Sequence, residues 1–108
     1  MGRDMQNKTS NIYTEWINKN YPTKELSVNK CHFAVESMSE AFPELIIQVG
    51  LANGVMHCWL KDTSNNIIDP TSKQFSEPIN YFFIADRFLE KDEYEASTGA
   101  IFLRGDYE

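Results

Sequence analysis

The sequence predicts an α+β domain in which helices come first and an antiparallel sheet follows. Up to Phe42, apolar residues recur at helical spacing. From Glu44 onward they form short β-branched runs separated by the turn residues Asn53-Gly54 and Ser64-Asn65-Asn66. The chain has 108 residues, 42% hydrophobic and 13% aromatic. That composition suits one domain over residues 1–108 with a core of its own, not a disordered chain.

Each element has a local reason. Residues 1–8 are polar and are expected to be loose. Ile12, Tyr13, Trp16, Ile17 and Tyr21 lie at helical spacing, with Thr9 or Ser10 as a cap and Pro22 as a stop. Val28, Cys31, Val35, Met38 and Phe42 form a second stripe, spaced three, four, three and four. Ser27 or Asn29 is expected to cap this helix and Pro43 to end it, which puts Cys31 in its first turn. Residues 44–50 (ELIIQVG) read as a strand, Asn53-Gly54 as a hairpin turn, and residues 55–61 (VMHCWLK) as the returning strand. A turn over 62–66 leads to a third strand over 66–71 (NIIDPT). Residues 80–85 (NYFFIA) lean to strand, 89–97 to a short helix, and 100–103 (AIFL) to a last strand.

Ten basic against sixteen acidic residues give a net charge of -6, so a basic nucleic-acid footprint is not expected. The first twenty residues lack the apolar core of a signal peptide, and no apolar run is long enough to span a bilayer. A cytoplasmic protein with free cysteines, Cys31 and Cys58, is the expectation.

Chemistry concentrates in the two central strands. If Lys61 lies near Asn65, His57 falls directly opposite Asp69, where opposed Cβ atoms are about 4.5–5.5 Å apart. His57, Trp59, Ile67 and Asp69 then share one sheet face, and Cys58, Leu60 and Ile68 the other. A helix start and a neighbouring imidazolium both lower a thiol pKa, which favours Cys31 over Cys58 as the reactive thiol. Cysteine, histidine and aspartate together supply nucleophile, base and orienting carboxylate. A metal site made from Cys31-His32 and His57-Cys58 is the weaker reading, because strand neighbours point to opposite faces. No metal or other cofactor is expected.

Cys31 at a helix start, His57-Cys58-Trp59 on a strand and Ile67-Ile68-Asp69-Pro70-Thr71 on the next resemble the transglutaminase-like branch of the papain-like cysteine enzymes. The resemblance covers roughly Val28 to Phe75 and is closest to small bacterial and phage-type members. It implies a papain-like core in which a helix carrying Cys31 packs on an antiparallel sheet carrying His57 as base and Asp69 as its orienting acid. It also implies acyl transfer from a peptide, protein or small amide or ester, with hydrolysis as the default. Related proteins include inactive binding proteins, so the alternative is a non-catalytic interaction protein acting on a host protein. Two departures stand out. Asn29-Lys30 precede Cys31 where many relatives have a glycine two residues before the cysteine. Glu25 stands where papain-type enzymes place a glutamine. The oxyanion donors would then be backbone N–H groups, with Asn29 as a further donor and Trp59 lining the site.

Overall fold

A computed structural model of the protein describes residues 12–90, 92 and 93. The expected loose segment 1–8, the caps Thr9 and Ser10, the strand over 100–103 and most of the helix over 89–97 lie outside these residues. Of that helix, Leu89 and Glu90 are described and are not helical, and residues 92 and 93 are described and are.

Among the described residues, three N-terminal helices precede a four-stranded antiparallel sheet. Helix α1 covers residues 12–20 and stops ahead of Pro22. Its Tyr13 is buried and meets Phe42 edge-on at 5.0 Å, while its hydroxyl donates to Glu44 Oε2 at 2.6 Å.

The second predicted helix is two helices. Helix α2, Lys24–Ser27, is capped by Thr23, whose hydroxyl oxygen accepts from the Leu26 N–H. Asn29 then takes a left-handed backbone (φ 61), and helix α3, Cys31–Ala41, starts afresh. An asparagine tolerates that conformation better than most residues, and no α-helix continues through it. The expected caps Ser27 and Asn29 are therefore corrected. Ser27 ends α2 with its hydroxyl donating to the Thr23 carbonyl, and α3 begins after Lys30 with no side-chain cap. Val28 falls in the break, is exposed, and leaves the stripe. Cys31, Ala34, Val35 and Met38 form the buried face instead.

The sheet runs β3-β2-β1-β4, with β1 Ile46–Ala52, β2 Val55–Lys61, β3 Ile67–Ile68 and β4 Tyr81–Ala85. The β1–β2 turn is the predicted one. Asn53 (φ 51) and Gly54 (φ 85) both have positive φ, as the tight hairpin turn favoured by Asn-Gly requires. The third strand is shorter than expected: pairing ends at Ile68, and Asp69-Pro70-Thr71 leave the sheet.

One sheet face packs Val49, Cys58 and Leu60 against the inner stripe of α3. Full burial of each aliphatic side chain there stabilises the fold by roughly 1.5–3 kcal/mol. Gly50 sits where a Cβ would collide with the Phe82 carbonyl oxygen and the Trp59 ring. Its bare backbone lets β4 and Trp59 close in from the two sides, next to an irregular register at Val49/Gly50.

Candidate active site

Asp62 sets the geometry. Its Oδ1 accepts the backbone N–H groups of Ser64 (2.9 Å) and Asn66 (2.8 Å), and its own N–H donates to the Asn66 carbonyl. Asn65, at φ 68, completes the turn. This closure pairs Lys61 with Ile67 and Leu60 with Ile68. The expected pairing of Lys61 with Asn65, and with it a directly opposed His57 and Asp69, is corrected: the partner lies two residues further along the chain. An even shift preserves the alternation of faces. Asp69, just past the end of β3, therefore still reaches the His57 side of the sheet. Its Oδ2 lies 2.9 Å from His57 Nε2, with both side chains almost wholly buried.

Asp69 is itself tightly held. Oδ2 also accepts the Tyr81 hydroxyl at 2.8 Å, and Oδ1 accepts the Thr71 N–H at 3.1 Å and the Thr71 hydroxyl at 3.4 Å. Burial and the adjacent Asp69 carboxylate both push the Tyr81 phenol pKa up, so Tyr81 remains a donor.

Cys31 begins α3 and is fully buried. Cys31 shares the core cluster with Cys58, and its thiol feels the Cys58 thiol and backbone N–H and the His57 side chain. The Cys58 thiol is the largest influence on Cys31. Together with His57 it outweighs burial and lowers the Cys31 pKa to about 6. Burial opposes a charged imidazole, but Asp69 and Cys31 overcome it and raise the His57 pKa to about 10. The Cys58 pKa is raised, by burial first and then by Cys31. Cys58 thus stays a protonated donor within the core. Both cysteines are free thiols.

Trp59 lies beside the histidine at 6.1 Å between ring centroids. Its indole N–H donates to Gln48 Oε1 at 3.0 Å, and Tyr81 packs on it edge-on at 4.8 Å. Asn29 is exposed in the break before Cys31, and Glu25 is exposed on α2. His32 stacks on Phe88 at 4.1 Å and faces Glu36, away from the other three members of the suggested metal set. Among the described residues, no group of three or more His, Cys, Asp or Glu side chains could hold a metal ion.

Three contributors were missed by the sequence reading: Tyr81, Gln48 and Gln74. The first two come from strands whose faces could be assigned only once the pairing with β1 was known. Gln74 lies 3.2 Å from His57 Nδ1, and the Phe75 ring stands edge-on to the imidazole at 5.1 Å. The available signal was the Asp-Pro-Thr sequence, a turn former able to send the following residues back over the histidine. A separate groove of about 430 Å³ lies on the outer side of α3, lined by Trp16, Tyr21, Lys30 and Phe33 among others. Cys31 faces inward, away from it.

Comparison of the chain with known protein families, curated proteins and solved structures gives no match.

Proposed function

We propose that this protein is a cysteine-dependent acyl-transfer enzyme with a transglutaminase-like, papain-like core. Cys31 acts as nucleophile, His57 as general base and Asp69 as the acid that orients the imidazole. One observation carries the reading: a buried histidine whose Nε2 is held 2.9 Å from a buried carboxylate; the lowered pKa of the helix-start Cys31 thiol, to which Cys58 and then His57 contribute, supports it. In this mechanism the Cys31 thiolate attacks an amide or ester carbonyl, and the leaving group departs with a proton from His57. Water, activated by His57, then releases the acid. Tyr81 and Thr71 hold Asp69 so that its Oδ2 stays on Nε2, and in this mechanism Nδ1 serves the thiol.

A second reading is a binding protein on the same scaffold. The enclosure of the site favours it, since Cys31 and His57 are both 0% exposed. p-Nitrophenyl acetate separates the two. An enzyme gives a burst of nitrophenolate and an acetyl adduct on Cys31, visible by intact mass and peptide mapping. Cys31→Ala and His57→Ala should each lower the rate by about 10³-fold or more, and Asp69→Asn should retain part of it. No Cys31 adduct, or equal rates in wild type and Cys31→Ala, would exclude the enzyme.

A further inference from the structure

Both imidazole nitrogens of His57 are bonded by the single stretch from Asp69 to Gln74. Asp69 Oδ2 takes Nε2. The other carboxylate oxygen, Oδ1, accepts from Thr71 and folds the turn. The Ser72 N–H donates to the Asp69 carbonyl, and the Gln74 N–H to the Thr71 carbonyl. This 3-10 helix, Ser72–Gln74, brings the Gln74 amide back to Nδ1 at 3.2 Å. Nδ1 is the nitrogen that must exchange a proton with Cys31. With Nε2 held by Asp69, the Gln74 amide and the Cys31 thiol draw on the same ring nitrogen. Gln74 and Phe75 are also only partly buried, whereas His57 is fully enclosed, so they form part of its cover toward solvent.

We propose that Gln74 is a positioning residue that gates the thiol by competing with Cys31 for Nδ1 of His57. The inference rests on the acyl-transfer reading above. An amide suits this role because it meets either protonation state. Its N–H₂ donates to the bare Nδ1 of a neutral imidazole, and its oxygen accepts from an imidazolium. In the arrangement seen here Nε2 of Gln74 faces Nδ1, which corresponds to a neutral His57 carrying its proton on Nε2 toward Asp69. The raised His57 pKa instead favours the imidazolium, which requires the amide to turn over. In both states the amide competes with the Cys31 thiolate for Nδ1 and so weakens the stabilisation that His57 gives it. The other titratable groups around the pair are Asp69, Cys58 and, through Asp69, Tyr81. Lys24 donates to Ser76 Oγ and Lys73 to Asn18 Oδ1, and Lys30, next to Cys31 in the chain, lies over the Phe33 ring.

The test is the pH dependence of Cys31 alkylation by iodoacetamide in the full chain, with peptide mapping to separate Cys31 from Cys58. Gln74→Leu frees Nδ1 for the thiolate. The rise of the rate with pH should move down by about one pH unit, a gain of about tenfold on its rising limb. Gln74→Glu should move it up, because the carboxylate takes the Nδ1 proton and repels the thiolate. Gln74→Asn, too short to reach Nδ1, should behave as Leu does and serves if Leu disturbs the turn. His57→Ala separates the two levels of the argument. If it slows Cys31 alkylation while all Gln74 variants keep the wild-type profile, the gate is wrong and the thiol–imidazole pair stands. If His57→Ala changes nothing, both fail. A downward shift with Leu or Asn and an upward shift with Glu supports the gate.

Discussion

His57 and Cys31 charge each other. The imidazole, ordinarily titrating near 6.5, is raised to about 10, and the thiol, ordinarily near 9.0, is lowered to about 6. Between these limits the pair favours thiolate and imidazolium. The raised histidine contributes stability that is present below pH 6.5 and is lost as pH rises through about 10. The lowered cysteine contributes stability present above pH 9.0 and lost as pH falls through about 6. The rate of Cys31 alkylation should accordingly rise through about pH 6 and level off, whereas an ordinary thiol rises near 9.0. Cys58→Ala should move that rise upward, because the Cys58 thiol is the largest influence holding the Cys31 pKa down. Iodoacetamide kinetics resolved by peptide mapping check this. A Cys58→Ala profile identical to wild type would leave Cys58 with a packing role alone.

At the scale of elements, the sheet depends on backbone approach as much as on side chains. Gly50→Ala would force a Cβ into the Phe82 carbonyl and the Trp59 ring, so β4 must move off β1. Over-packing of this kind costs about 1–3 kcal/mol. Urea unfolding should show a lower midpoint, and the Cys31 alkylation profile should change as Tyr81 on β4 is drawn off Asp69. Retention of both wild-type values would show that the strands give way freely. The sequence made β1, β2 and the Asn53-Gly54 turn legible because β-branched runs and a positive-φ turn are local signals. It made the contact between His57 and Asp69 legible because alternation survives a register shift of two. It did not reveal that shift, which depends on how many backbone groups Asp62 gathers. Nor did it reveal the break at Asn29, since the apolar spacing runs straight through it. Gln74 stayed hidden because its partner is reached only after the turn at Asp69-Thr71 has formed.

The whole molecule places its local and distant contacts unequally around the thiol. Among the described residues no helix is long and apolar enough to cross a membrane, and the burial that holds the fold together lies between α3 and the sheet. The dyad of His57 and Asp69 spans only 12 positions of chain, across one tight turn. Cys31 must instead be delivered by α3 from well outside that hairpin, with β1 in between. Closing a short loop costs less chain entropy than closing a long one, and local pairings form sooner. The order of assembly therefore brings the Cys31 thiol to its partners last. During refolding of a Trp16→Phe variant from urea at pH 7, Trp59 fluorescence should recover before Cys31 acquires its fast alkylation rate. Simultaneous recovery would mean that hairpin and helix condense together. A chain that activates its thiol only after the sheet is built carries an inert cysteine through the interval when an exposed thiolate would be most open to oxidation and cross-linking.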